Sequence, residues 1–380
     1  MFLGVLIHAA ASFVVTPIGW AIRDPALNIA ADLSIGAIHL FRMPVFFLLS
    51  GFFARLVYVR LGIKGFLLHR FKRIVIPLVV TLPLISVSLD ALWLWGSRHA
   101  IAVPVSGWSF ALPSFDMGAV MVSSFAHLWF LYYLALLLAL VAGGISLFRH
   151  RLSERLASRV DNQFSLAIDG RYLSFVMAIP TALVLRFMAL PGLPDTPLSV
   201  VPEPRLLAYY GAFLAVGWFF HRQRDLLPAL GLRLRSRLAI AAMAAIPYSV
   251  WVVHEVVSPD IDSALRAAGL YFGALLTWEL SLVFVGGFVR YLSRPHPWVR
   301  WLSDASYWCY LVHLPVVVTI QVLVAPQAWP GIAKYALIVG GAMGVSLVTY
   351  QAFVRYTFIG AILNGKRGRI GSPRQVTAEA

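Results

Sequence analysis

Apolar runs long enough to cross a lipid bilayer recur about ten times along this chain, near residues 2–20, 38–58, 74–95, 119–147, 172–190, 206–220, 238–256, 268–289, 304–325 and 335–360. A hydrocarbon core about 30 Å thick takes roughly 20 helical residues to cross. Inside it every backbone polar group must find its partner within the protein, which a helix does on its own. The runs therefore predict an all-α, polytopic membrane helix bundle of about ten transmembrane helices. A single transmembrane domain is expected over 1–365, followed by a cytoplasmic tail over 366–380. Composition agrees, since 60% of the residues are hydrophobic and only 12% are charged, whereas soluble domains carry about a quarter charged residues.

The net charge of +15 raises the question of nucleic acid, but no basic block is interleaved with the polar and aromatic platform such binding needs. Topology explains the charge better, because loops rich in Lys and Arg stay in the cytoplasm. With the N-terminus inside, 23 of the 31 basic residues fall in 55–73, 149–171, 222–237, 290–300 and the tail from Lys366 to Arg374. Only Arg23, Arg98, Arg205, Arg266 and Lys334 fall outside, so both termini are expected to be cytoplasmic. The external segments 93–116 and 194–204 are too short to form a separate domain. Cys309 is the only cysteine, which leaves no internal disulfide and no thiolate cluster. The histidines are scattered over several spans without ligand spacing or an acidic cluster, and no metal is expected.

Ionisable groups at membrane depth are costly and mark function or interior pairing. His8, Arg42, His127, Arg186, Glu279, His313 and Arg355 are such groups. His8 is read either as an interior histidine bonded to a neighbouring helix or as a general base. His39 and Arg42 are spaced to share a helix face unless Pro44 distorts the turn. Arg42 lies near the end of its run and could snorkel, while Ser50 and Gly51 are small enough for helices to approach closely. Arg70 and Arg73 could be a positive-inside anchor, or could offer two guanidinium forks to a phosphate-bearing ligand such as a CoA thioester. Trp129 has the position of an interfacial belt residue, two places after His127. Tyr310 and His313 are again one turn apart, as a structural pair or a catalytic one. Glu279 could orient a histidine or pair with Arg186 or Arg355.

Four stretches carry a resemblance: HLFRMPVFFLLSGFF (39–53), RFKRIVIP (70–77), HLWFLYYL (127–134) and DASYWCYLVHLP (304–315). Together, and in this order over nearly the whole chain, they resemble the acyltransferase 3 family of membrane proteins. The resemblance implies an O-acyltransferase of a bacterial inner membrane, in contact with membrane lipid. It would move an acyl group, succinyl or acetyl, from cytoplasmic acyl-CoA to a sugar hydroxyl of a periplasmic or cell-envelope glucan or polysaccharide. Acyl-CoA would be the donor substrate, with no permanently bound cofactor, and the other partner a carbohydrate acceptor. The resemblance further implies that His8 acts as base and that Arg70 and Arg73 hold the CoA phosphates. His39, Arg42, His127 and His313 are expected along the acceptor side or acyl path, together with Ser50, Trp129 and Tyr310; Arg42 or a histidine would stabilise the developing charge. The family carries an Arg or Lys eleven residues before the first-span histidine, a position that would precede Met1, so the natural start is expected upstream. Intramembrane histidines fit a proton-coupled transporter or flippase of a sugar or lipid intermediate equally well. Acyl-CoA binding at 70–73 would separate that reading from the enzyme.

Overall fold

The computed structural model describes residues 1–16, 18–99, 125–148, 162–163, 172–190, 192–197, 200–257, 262–294 and 296–365. Most of the 93–116 and 149–171 segments and the tail from Lys366 lie outside the described residues. The described elements are helices: α1 (Phe2–Ala10), α2 (Ile29–Arg70), α3 (Ile76–Arg98), α4 (Trp129–Phe148), α5 (Leu173–Leu185), α6 (Pro204–Arg222), α7 (Leu227–Leu232), α8 (Leu234–Val257), α9 (Ser263–Tyr291), α10 (Pro297–Val324), α11 (Gly331–Thr349) and α12 (Phe358–Asn364). Among the described residues six helical stretches are long and apolar enough to cross a membrane: 29–98, 126–147, 234–255, 263–291, 297–324 and 331–354.

The first of these stretches holds α2 and α3 in 70 residues. As one straight helix it would measure about 105 Å, more than three times the hydrocarbon thickness. Gly62 divides it, with φ 64° and ψ −178°, a conformation open to glycine and strained for any residue with a Cβ. Arg70 then lies back against the first limb, its Nη2 donating to the Phe53 carbonyl at 2.7 Å. A π-helical turn at Phe71–Val75 leads into α3 and is tied to α10 by the Tyr307 hydroxyl, which donates to the Arg73 carbonyl at 2.6 Å.

α2 is the axis of the bundle, packed against α6, α9, α1 and α4. Its crossing with α6 rests on two glycines: a side chain at Gly51 would run into the Leu214 carbonyl, and one at Gly217 into the Leu48 carbonyl. Such small-residue crossings let helix backbones touch where lipid offers no hydrophobic drive. Stacked pairs fill the layers around it, Phe47 on Tyr210 with ring centroids 4.5 Å apart and Phe213 on Trp278 at 3.9 Å.

Two sequence readings are corrected, and two basic residues prove buried. The run 2–20 is helical only to Ala10. Beyond it the Val15 and Thr16 amides are taken by the Asp32 carboxylate at 2.8 and 3.0 Å, and Asp24 and Asn28 amides return to the Ser12 and Phe13 carbonyls. With those amides engaged elsewhere the helix cannot continue. Glu279 pairs with neither Arg186 nor Arg355 and orients no histidine among the described residues. It is fully buried, 3.1 Å from Arg237 Nη1, and accepts a hydrogen bond from Ser174. Arg237, counted above with a cytoplasmic loop, is therefore buried within α8, only 2% exposed. Lys334, counted as external, is likewise 2% exposed. Its ammonium reaches Asp24 Oδ2 at 2.9 Å and the Ala325 carbonyl at 2.9 Å.

Candidate active site

α1, α2, α3, α10 and the turn before α4 enclose a cavity of about 560 Å³. His8, His39, Arg42, His127, Trp129, Tyr310 and His313 all line it. Residues from six separate stretches of sequence line this one space, although Arg186, Glu279 and Arg355 do not reach it.

The hydrogen bonds fix which ring nitrogens carry protons. His313 Nδ1 faces two backbone carbonyls, Tyr310 at 2.8 Å and Cys309 at 3.0 Å. Carbonyl oxygens only accept, so Nδ1 holds the proton and the neutral ring keeps a bare Nε2. That Nε2 lies 2.9 Å from His8 Nδ1, which must then donate. His8 is left with its lone pair on Nε2. The two rings lie nearly parallel, 13° apart with centroids at 5.0 Å, and Trp20 stacks beside His8 at 5.8 Å. Trp20 is itself held by Gln321, whose Oε1 accepts from the indole at 2.9 Å while its amide donates to the His8 carbonyl at 2.9 Å.

His127 is set by the same logic. Pro315 has no amide hydrogen, so the Leu311 carbonyl one turn earlier lacks its helical donor. His127 Nε2 donates to the Tyr310 carbonyl at 3.0 Å and lies 3.3 Å from that of Leu311, and the Tyr310 hydroxyl returns a bond to the His127 carbonyl at 2.7 Å. His127 Nδ1 is buried without a hydrogen-bond partner among the described residues. His39 Nε2 bonds the Pro194 carbonyl at 3.0 Å. Trp129 is 4% exposed and packs on Tyr210 and Tyr133 in the core, rather than in an interfacial belt. The helix continues through Pro44, so Arg42 keeps its place one turn from His39. A methyl group at Gly4 would touch both Arg42 Nη1 and His313 Nε2 at 3.4 Å, which places the guanidinium beside the histidine pair. Arg42 has no carboxylate partner among the described residues, and its Nε is buried without a hydrogen bond.

A second cavity, of about 390 Å³, lies along the chain-reversed part of α2. Ser50, His69, Arg70, Arg73 and Tyr307 line it, and Met1, Phe46 and Phe130 line both cavities. Arg70 is held by the Phe53 carbonyl and by the Phe66 ring, 5.6 Å from its guanidinium. Along α2 the 11 residues from Arg42 to Phe53 rise about 16 Å, half a hydrocarbon thickness. Helix α10 passes both cavities, with Tyr307 at one and His313 at the other. Among the described residues no group of His, Cys, Asp and Glu is placed to hold a metal ion.

Sequence reasoning missed Ser86, Asp90, Trp20 and Trp93 in the first cavity. Asp90 carried a signal, being a carboxyl inside the apolar run 74–95. The tryptophans carried none that distinguished them from core or interface residues.

Comparison with known proteins places these features. A family model for an acyltransferase domain matches residues 1–351. Glucans biosynthesis protein C of Salmonella typhi is 23% identical over 372 residues, covering 96% of this chain and 92% of that protein. The protein of the same name from Escherichia coli is 22% identical over 376 residues, covering 96% and 92%. No solved structure matches.

Proposed function

This chain belongs to the acyltransferase family whose domain model spans it, and on that premise we propose that it moves an acyl group from a CoA thioester to a sugar hydroxyl across a membrane. The observation that carries the reading is the His8–His313 contact, which leaves His8 Nε2 as a lone pair at a cavity that also holds the Arg42 guanidinium, without a carboxylate partner among the described residues. A hydroxyl attacking a thioester needs a base and a stabiliser of the oxyanion. His8 Nε2 takes the hydroxyl proton as oxygen bonds to the acyl carbon, and His313 Nε2 holds the resulting imidazolium by accepting from His8 Nδ1–H. Arg42 faces the oxyanion. Collapse breaks the carbon–sulfur bond, and the CoA thiolate leaves with the proton from His8, giving an ester and free CoA.

The donor enters through the second cavity, where Arg70 and Arg73 meet its phosphates. Its acyl end passes Met1, Phe46 and Phe130 to reach His8. Ten crossings with both termini in the cytoplasm suit this arrangement. They rest on the bias of basic loops, and they put the arginine cavity on the cytoplasmic side and the histidine cavity toward the periplasm of a bacterial inner membrane. The acyl unit is succinyl or acetyl. The acceptor is a periplasmic glucan, a reading supported by relatives named for glucan biosynthesis, and the enzyme is one transmembrane domain over 1–365 with a cytoplasmic tail beyond it.

Binding of acetyl-CoA and succinyl-CoA to the detergent-purified protein tests the reading. The protein binds one of them, and Arg70→Ala/Arg73→Ala weakens that binding by 100-fold or more, at about tenfold or more per charge-assisted contact. A folded protein that binds neither thioester would sink the donor site and favour a transporter.

A further inference from the structure

Helix α3 presents Ser86, Leu89, Asp90 and Trp93 to the histidine cavity, spaced i, i+3, i+4 and i+7 and so lying on one face. Asp90 is 8% exposed, and its Oδ2 is buried without a hydrogen-bond partner among the described residues. It forms no ion pair among the described residues. A buried carboxyl in this state costs free energy unless something entering the cavity bonds to it. Beside it Trp93 meets Trp20 edge to face, with ring centroids 5.5 Å apart, and Trp20 is anchored by Gln321 and stacked on His8. The cavity therefore joins an indole platform to an unsatisfied carboxyl, immediately next to the base.

We propose that the Ser86–Asp90–Trp93 face of α3, with Trp20, is the subsite that binds and orients the acceptor, and that it takes a neutral pyranoside. A pyranose ring has an apolar C–H face, which indole covers, and a rim of hydroxyls, which a carboxyl accepts from. Trp20 touches both the platform and His8, so a sugar stacked on it brings one hydroxyl toward His8 Nε2 while Asp90 holds a neighbouring one. An acyl chain makes no use of a carboxyl. The donor phosphates would be repelled by it, which keeps the anionic end of CoA at the arginine cavity. The inference rests on the acyltransferase reading above and adds to it the residues and the chemistry that select the acceptor.

Transfer from the bound acyl-CoA to glucose and to glucose oligosaccharides of two to six units is measured by release of CoA thiol, with acyl-CoA affinity determined on the same samples. Asp90→Leu raises the acceptor KM by about 10- to 100-fold, the loss expected when a hydrogen bond to a charged group is removed. Asp90→Asn, which keeps one acceptor oxygen, raises it less. Trp93→Ala raises it while Trp93→Phe restores most of the affinity, because stacking and not the indole N–H is the working contact. Acyl-CoA Kd stays within twofold of the parent throughout. An unchanged acceptor KM in Asp90→Leu, or a loss of acyl-CoA affinity in step with it, overturns the subsite and leaves the acyltransferase reading in place. If the parent transfers to none of these sugars despite binding acyl-CoA, the carbohydrate reading falls and the subsite with it.

Discussion

Replacing His313 by Phe keeps the ring volume at the centre of α10 but removes the acceptor for His8 Nδ1–H, now 2.9 Å away. In the transition state that proton belongs to an imidazolium, so the lost bond is charge-assisted and worth about 1.5–3 kcal/mol. At 1.36 kcal/mol per decade, kcat falls about 10- to 150-fold. Removing the base itself in His8→Ala costs about 10²- to 10⁴-fold. Because His313 works through His8, it is a positioning residue, and the double variant turns over no more slowly than His8→Ala alone. His313→Gln keeps a side-chain acceptor and recovers part of the rate. Initial rates of CoA thiol release at saturating donor, for the parent, the two single variants and the pair, close the cycle. A double variant slowed by the product of the two single factors would mean that the histidines act independently, and the tautomer argument would be refuted.

The packing of the bundle yields further expectations. Gly217→Leu drives a side chain into the Leu48 carbonyl, so α2 and α6 must separate. A loss of about 1–3 kcal/mol or more would appear as a lower midpoint in thermal unfolding of the detergent-solubilised protein, and an unchanged midpoint would contradict the crossing. Glu279→Leu alone strands the Arg237 charge in the core and costs about 3–5 kcal/mol, whereas Glu279→Leu with Arg237→Met recovers most of it. A double variant as unstable as the single one would show that the pair is not self-contained. Gly62→Val strains the turn at φ 64° and loosens Arg70 from the Phe53 carbonyl. Acyl-CoA affinity should fall there while acceptor KM holds; the reverse pattern would separate the turn from the donor cavity.

Much of the site could be read from sequence because lipid makes its residues conspicuous. His8, His127 and His313 stand out in apolar runs where neutral side chains are the rule. What could not be read is how they are held. The partners of His313, His127 and His39 are backbone carbonyls of Cys309, Tyr310, Leu311 and Pro194, and carbonyls have no residue identity to recognise. Pro315 exposing the Leu311 carbonyl becomes meaningful only once His127, 184 residues away, is seen beside it. The boundary of α1 was lost for a related reason. Its apolar run continues past Ala10, and only the tertiary bonds from Asp32 to Val15 and Thr16 show that the helix has ended. The pairing of Arg237 could not be read because a basic residue at a span edge reads as a topology signal, while its partner Glu279 lies 42 positions downstream in another helix.

The distribution of charge inside the bundle sorts structural groups from chemical ones. Away from the cavities the buried charges are matched: Glu279 with Arg237 and Ser174, Asp24 with Lys334, whose ammonium also meets the Ala325 carbonyl. Within the histidine cavity they are not, since Asp90 and Arg42 both line it and neither has an ion-pair partner among the described residues. A fold optimised only for stability would have paired or removed these two, because each carries a desolvation cost that packing does not offset. Their persistence as opposite charges in one cavity fits a site completed by a molecule with two requirements, hydroxyls near Asp90 and a developing negative charge near Arg42. A sugar attacking a thioester meets both at once. A permeating solute has no developing oxyanion, and it would leave the guanidinium without a role.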